Sequence, residues 1–170
     1  MINWLLYIAM AALAFLMMEG VAWTAHKYLM HGPLWFLHND HHQGGYHPFQ
    51  KNDAFFIIFA VPCWLSTMFG GLYQIWWLFA FGVGIFLYGV CYFLVHDVII
   101  HQRFKWFARS NSRYVKVLRW AHKMHHKHTG KEAGESFGLL IVPRRYWEKV
   151  KADERRSNGT SQIMHSSAGR

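Results

Sequence analysis

Ten of the thirteen histidines fall into two copies of one pattern, in which H-x-x-x-x-H is followed by H-x-x-H-H. The first copy comprises His26, His31, His38, His41 and His42, and the second comprises His96, His101, His122, His125 and His126. Imidazole is a common nitrogen ligand for zinc, copper, iron and nickel. Ten imidazoles at a repeated spacing therefore predict a metal site that holds more than one ion.

The two halves of the pattern differ in helical geometry. Residues i, i+3 and i+4 share a face of an α-helix, so each H-x-x-H-H triplet points its rings to one side. Residues i and i+5 diverge by about 140° on a straight α-helix. His26 and His31 would therefore not bind one ion from a regular helix. Either the helix ends or widens between them, or the two rings reach different ions.

Several common metal-site patterns are absent from the sequence. Structural zinc sites are often built with cysteine, but Cys63 and Cys91 lie inside apolar runs and indicate buried thiols. The Glu-x-x-His pairs of helical-bundle di-iron proteins and the H-E-x-x-H motif do not occur. What remains is an all-histidine centre of two ions with room for an exogenous oxygen species. His47, His128 and His165, outside the pattern, are interpreted as ordinary packing or surface residues.

The composition indicates a membrane protein, since 53% of the 170 residues are apolar and 18% are aromatic. A membrane-spanning helix needs about 20 apolar residues. The runs Trp4 to Ala25, 54–71 and 74–98 meet that need, with a break at Gly70-Gly71. Without a cleavage signal after the first run, we expect it to be kept as an anchor.

The cationic residues predict the orientation of these three spans. All eighteen Lys and Arg lie in residues 26–53 or beyond residue 101. With three spans both segments fall on one side, which the positive-inside rule makes cytoplasmic. The motif histidines then lie at the cytoplasmic membrane surface.

The polar part of the chain completes a predicted all-α integral membrane fold. About three transmembrane helices and additional cytoplasmic or interfacial helices carry the histidine-ligated dimetal site. Residues 103–131 alternate basic with apolar side chains and are interpreted as an interfacial amphipathic helix. The short apolar segment 137–142 is expected to re-enter the membrane or cover the site. A single domain is predicted over residues 1–150, followed by a disordered tail over 151–170.

A few further side chains are candidates for the site. Glu19 is a charge within a span, seven residues before His26, and a charge there usually marks function. Glu19, Asp97 and Asp40 are candidates for orienting an imidazole N–H or for buried hydrogen bonding. Four aromatic residues near the histidines, which are either a substrate entry or an interfacial belt, are Trp23, Tyr28, Trp35 and Phe36.

The motifs also identify a family. The runs E-G-V-A-W-T-A-H-K-Y-L-M-H-G, H-N-D-H-H, K-N-D, V-H-D-V-I-I-H-Q-R and A-H-K-M-H-H…G-K-E…S-F-G resemble those of the bacterial β-carotene 3-hydroxylases. These belong to the histidine-rich di-iron superfamily of membrane fatty acid hydroxylases and sterol desaturases. The resemblance covers Glu19 to Val142. Two departures, the insert Gly44-Gly45-Tyr46-His47 and Glu135, bear on substrate preference.

The resemblance implies a non-haem di-iron monooxygenase in the bacterial inner membrane. Its activity would be O₂-dependent hydroxylation of C3 of the β-ionone ring, from β-carotene through β-cryptoxanthin to zeaxanthin, and from canthaxanthin toward astaxanthin. The ten motif histidines would bind two iron ions, with zinc as a substitute in a purified sample. Because no G-x-G-x-x-G fingerprint follows a strand, electrons would come from an external donor such as ferredoxin with its reductase.

Two other functions are alternatives. One is a related di-iron enzyme that hydroxylates or desaturates a fatty acyl chain or a sterol. The other is a histidine-rich membrane metal carrier or haem-binding protein, although a transporter would place its ligands near mid-membrane. No nucleic-acid partner is expected, and a homo-oligomeric state is left open.

Overall fold

The computed structural model describes residues 4–43 and 49–167, with side chains through residue 157, and no β strand occurs within those stretches. The α-helices in this range are α1 (Trp4–Thr24), α2 (Trp35–Gln43), α3 (Ala54–Leu72), α4 (Trp76–Tyr92), α5 (Arg113–His126) and α6 (Arg144–Ser167). Two π-helical segments, Ala25–Met30 and Phe93–Ile100, extend α1 and α4. Short 3₁₀ turns cover Lys51–Asp53 and Lys105–Phe107.

Three continuous helical stretches are long and apolar enough to cross a membrane, namely Trp4–Met30, Lys51–Leu72 and Trp76–Ile100. Their outer surfaces carry large apolar side chains that the protein leaves exposed, such as Leu5, Ile57 and Phe86. Apolar surface of this extent is stable against lipid rather than water. The prediction of an all-α membrane protein with three spans is confirmed.

Helix α4 packs against both α1 and α3. A Cβ at Gly84 would lie 2.3 Å from the Ala11 carbonyl oxygen, and a Cβ at Gly82 would lie 2.7 Å from the Thr67 side chain. Only glycine permits these close helix crossings. Gly89 of the same helix differs, because an added Cβ there meets nothing within 4 Å.

Helix α5 is shorter than the predicted interfacial helix over 103–131. Its apolar face is buried by protein instead of headgroups. The core that it forms with α6 consists of Val117, Ala121, Tyr146 and Val150. A pattern of alternating basic and apolar residues fits either environment, and here a second helix covers the apolar side.

Helix α6 continues through residue 150 to Ser167, where a domain end and a disordered tail were predicted. Ion pairs at i, i+4 spacing, Arg144–Glu148 and Lys149–Asp153, support the helix. Glu154 also accepts hydrogen bonds from two cationic side chains of α5. Contacts with α5 therefore stabilise a segment whose own composition is polar.

Candidate metal centre

The ten motif histidines converge in the folded chain, although they are distributed over more than a hundred residues. The histidines form two groups, and inside each group the potential ligand atoms lie within 4.8 Å of one another. The first histidine group is His26, His31, His38, His42 and His125, and the core of the second is His41, His96, His101 and His122. We count His126 in the second histidine group because its Nε2 lies 2.8 Å from Nε2 of His122.

Each H-x-x-x-x-H pair begins inside a π-helical segment, and its second histidine, His31 or His101, is the residue that follows the segment. The backbone N–H of His31 donates to the carbonyl of His26 at 3.1 Å, and that of His101 donates to the carbonyl of His96 at 2.9 Å. This i→i−5 pattern widens the helix and stacks residues five apart, as π-bulges at functional sites do. The rings of each pair therefore face one group, with centroids 5.3 and 4.5 Å apart. Of the alternatives left open, the helix widens.

The H-x-x-H-H triplets lie on α2 and α5, where each turns its three rings to one side of its helix. The first and third histidines of a triplet join the group of the preceding π-helical pair. The middle histidine crosses to the other group: His41 of α2 lies in the second and His125 of α5 in the first. Each group thus draws on both copies of the pattern.

The Nε2 atoms point at one another inside each group. In the first group the Nε2 atom of His38 lies 3.1 Å from those of both His26 and His42. In the second, the Nε2 atoms of His101 and His122 are 2.8 Å apart. Nitrogen ligands bound about 2.1 Å from one ion lie roughly 3 Å apart, so the spacing fits shared ions. The Nε2 of His41 is buried without a hydrogen-bond partner among the described residues, as expected of a ligand atom.

One loop supplies the acceptors that orient most of the first group. We call residues 128–141 the strap. Its backbone carbonyls at residues 128, 131, 135 and 137 accept Nδ1–H of His42, His31, His125 and His26 respectively, at 2.9–3.0 Å. An oxygen acceptor requires the proton on Nδ1, so each neutral ring presents the lone pair of Nε2 to the centre. The fifth ring, His38, donates to Asn52 Oδ1 at 2.7 Å.

In the second group, the ring of His41 is oriented by a side chain instead. His41 Nδ1 donates to Gln50 Oε1 at 2.8 Å, and Arg103 donates to the same oxygen at 3.2 Å. Arg103 also pairs with Asp97 at 3.1 Å, and Asp97 lies 3.5 Å from Nδ1 of His96. The Gln50 contact orients the His41 ring without using the strap.

The three predicted carboxylates have different surroundings. Asp97 lies 3.5 Å from Nδ1 of His96, without a hydrogen bond between the two atoms. Asp40 accepts the backbone N–H of Lys51 at 2.8 Å, so it fixes the start of the second span. Glu19 is buried and accepts hydrogen bonds from the strap. Whether they tune bound metal stays a prediction.

Burial keeps the imidazoles outside the spans neutral. Desolvation lowers the pKa of His42 to about 4, that of His125 to about 3 and that of His38 to about 2. The pKa values of His101 and His126 fall far below the ordinary histidine range for the same reason. Neutral imidazole is the metal-binding form. The centre is therefore ready to bind cations at neutral pH.

These shifts predict how acid affects the centre. A solvated imidazole starts to take up protons near pH 6.5, whereas His42 in the folded chain does so only near pH 4. We expect metal content to stay constant from about pH 8 to about pH 6 and to fall as the pH approaches about 4. Metal analysis after desalting across this range measures the metal content; loss of half of the metal near pH 6.5 would contradict the prediction.

The metal-free protein should also lose stability as the pH drops below about 6.5, because between about pH 6.5 and pH 4 only the unfolded chain gains protons on these imidazoles.

A cavity of about 650 Å³ adjoins the centre within the spans. His26, His96 and His122 form its polar end, and aromatic residues of α3 and α4 supply much of the rest. Its lining residues Trp64 and Phe86 are each 58% exposed. The cavity therefore opens between α3 and α4 toward the region that lipid occupies. It can receive an apolar molecule directly from the bilayer.

The four aromatic residues predicted near a substrate entry lie outside the lining of this cavity. Trp35 packs against the rings of His31 and His42, at 5.1 and 5.2 Å. Trp23 and Tyr28 contact each other and the Lys27 ammonium, and Phe36 is exposed. Their assignment to the substrate stays a prediction.

Sequence reasoning missed several residues that contact the histidines. Asn52 belongs to the K-N-D run and Phe137 to S-F-G, so both stood inside motifs that had been noted. Phe137 packs against His26, His31 and His125 at 5.2–5.4 Å. Gln50 carried no comparable motif. Of the histidines outside the pattern, His128 contributes its backbone carbonyl, while His47 and the side chain of His165 lie outside the described residues.

Comparison with known proteins gives a consistent result. The pattern of the fatty acid hydroxylase family matches residues 11–147. A protein named beta-carotene hydroxylase from Paracoccus sp. (strain PC1) is 36% identical over 84% of this chain and 86% of its own length. Another of that name from Pantoea ananas is 40% identical over 74% of this chain and 71% of its own. A chloroplastic beta-carotene 3-hydroxylase from Haematococcus lacustris is 39% identical over 74% of the chain and 40% of its own length. No solved structure matches the chain.

Proposed function

The chain belongs to the fatty acid hydroxylase family, and from that premise we propose that it hydroxylates C3 of the β-ionone rings of carotenoids. β-Carotene is converted through β-cryptoxanthin to zeaxanthin. The observation that carries this proposal is the apolar cavity that opens toward lipid and ends at three motif histidines. A carotenoid dissolves only in the bilayer, so its ring can reach the centre without crossing water.

The two histidine groups hold two iron ions, five imidazoles for each. Zinc can occupy the same nitrogen ligands in a purified sample. When bound, the iron pair supplies the reductive activation of O₂. The overall reaction consumes the ring C–H, O₂, two electrons and two protons, and it yields the C–OH product and one water.

The chain positions the substrate and excludes water. Phe55, Phe59 and Phe93 contribute apolar lining that fits a polyene and its ring. Tyr92 stacks on the His96 ring with centroids 4.9 Å apart and lines the cavity beside the histidines. Water therefore has little access to the ring carbon while it is oxidised.

Electrons come from a soluble carrier, with ferredoxin and its reductase as the donor we propose. The chain carries a net charge of +9, and its cationic residues flank the spans on one side. Such a face can attract an acidic carrier. The positive-inside rule makes that side the cytoplasmic face of the bacterial inner membrane.

Expression in cells that accumulate β-carotene tests the proposal. Pigment analysis should show β-cryptoxanthin and zeaxanthin, and a canthaxanthin-accumulating strain should form hydroxylated ketocarotenoids. Unchanged pigments with an intact metal centre and a working electron supply would contradict carotenoid hydroxylation. New hydroxylated or desaturated lipids in that case would identify an acyl or sterol enzyme. Fewer than two ions per chain, or bound haem, would contradict the dinuclear centre.

A further inference from the structure

The strap is bound to only one of the two histidine groups. Its backbone carbonyls accept N–H bonds from four of the five rings in the first group. The acceptor described for a ring of the second group, Gln50 Oε1 on His41, lies elsewhere in the chain. Displacement of the strap would therefore release ring orientations in the first group and leave the second largely in place.

The strap does not hold its own shape through favourable backbone geometry. Ala133 and Ser136 have φ angles of 62° and 61°, in the left-handed region that non-glycine residues rarely adopt. Such conformations persist only where neighbouring structure enforces them. Ser136 lies between the residues whose carbonyls accept from His125 and His26, so its conformation bears directly on two rings.

Glu19 of α1 fixes the end of the strap. Its Oε1 accepts the backbone N–H groups of Leu139, Leu140 and Ile141 at 3.0, 2.8 and 3.0 Å. Its Oε2 accepts the hydroxyl of Tyr88 at 2.8 Å. Glu19 as a whole residue is only 8% exposed within an apolar span, where an ionisable side chain is costly unless partners satisfy it.

We propose that Glu19 is a positioning residue that sets the metal affinity of the first histidine group selectively, by clamping the strap whose carbonyls orient four of its rings. This inference rests on the proposed two-ion centre and adds an asymmetry to it. Loss of an outer partner of a metal-bound histidine typically weakens metal binding 10–100-fold. Here a single carboxyl group acts on several such partners through one backbone segment.

The primary experiment measures bound metal per chain in purified full-length protein. Glu19→Ala should bind one of the two ions roughly 10–100-fold more weakly and the other as in the wild type. Glu19→Gln retains an Oε1 acceptor for the three N–H groups, so its loss should be smaller. Glu154→Ala is the matched control, because it removes a glutamate whose described hydrogen bonds go to α5 cations and not to the strap, and it should keep both ions.

Hydrogen exchange provides a readout independent of metal and activity. The amides of residues 139–141 lose their acceptor in Glu19→Ala and should exchange at least about tenfold faster, while those of α5 stay protected. Tyr88→Phe removes only the Oε2 contact and should leave these three amides protected. Unchanged exchange at 139–141 in Glu19→Ala would overturn the clamp.

Double variants identify which ion depends on Glu19. Glu19→Ala combined with His31→Ala, both directed at the first group, should still retain about one ion. Glu19→Ala combined with His101→Ala, a ligand variant of the second group, should retain almost none. The reverse pattern, or equal loss of both ions in Glu19→Ala alone, would overturn the selectivity. A wild-type protein that fails to bind two ions would instead contradict the proposed centre itself.

Discussion

His125→Ala is expected to abolish hydroxylation. His125 is the most enclosed of the histidines whose side chains the structure describes, with 0% exposure. Its Nε2 lies 3.3 Å from that of His31, and its ring centroid lies 4.4 Å from that of His26. The substitution removes a proposed ligand and also leaves the Glu135 carbonyl of the strap without its donor. We expect activity to fall by more than about a hundredfold, since loss of an outer partner alone costs 10–100-fold.

Pigment formation and metal content measure this effect in membranes that contain equal amounts of protein. His128→Ala is the matched control, because His128 serves the centre through its backbone carbonyl, which the substitution retains. It should keep nearly full activity. Membrane insertion of His125→Ala should be normal, because the three spans do not include this residue. Full activity in His125→Ala would refute the assignment of this ring to the metal.

Gly89→Trp should block the cavity without disturbing the metal centre. Gly89 lines the cavity on α4, and an added Cβ there meets nothing within 4 Å. The helix can therefore accept a side chain, and a large one would occupy the opening near Phe86 and Trp64. Filling space that the substrate needs costs about 1–3 kcal/mol or more. Turnover of β-carotene should fall at least about fivefold, with both ions retained.

Gly20→Trp provides a closely matched control. Gly20 lies in α1, where an added Cβ also meets nothing within 4 Å, and it does not line the cavity. Both substitutions replace a glycine of a spanning helix by the same aromatic residue. Gly20→Trp should leave turnover within about twofold of the wild type. Equal turnover in the two variants would show that the substrate reaches the centre by another path.

Local sequence patterns were sufficient to predict the spans and the gathering of the ten rings. Apolar length defines a span, and the repeated histidine spacing pointed to a common centre. The exchange of His41 and His125 between the groups could not be predicted, because it depends on how α2 and α5 pack. The strap was equally hidden: Phe137 contacts His26 across 111 positions of the chain, and no short motif encodes a backbone carbonyl acceptor.

Helix α6 shows a different limit. Its net polarity suggested disorder, but Tyr146 and Val150 have the i, i+4 spacing of a buried helical stripe. The i, i+4 ion pairs at its start were also readable in the sequence. Two apolar residues give a weak pattern on their own. They become decisive only beside Val117 and Ala121, which the sequence does not place next to them.

The two π-helical segments allow the histidines at the end of a span to point in a direction that the packing face of that span does not determine. In an uninterrupted α-helix, the face of α1 that meets Gly84 of α4 would also dictate the directions of His26 and His31. The wider turn at Ala25–Met30 changes the direction of the following side chains relative to the packing face of α1, and it does so within a single turn. The lipid-facing and metal-facing surfaces of one continuous helix can thus vary in sequence independently. A one-residue deletion within that turn would rotate one surface away from its partner, so that either the packing face or the histidines would point in the wrong direction.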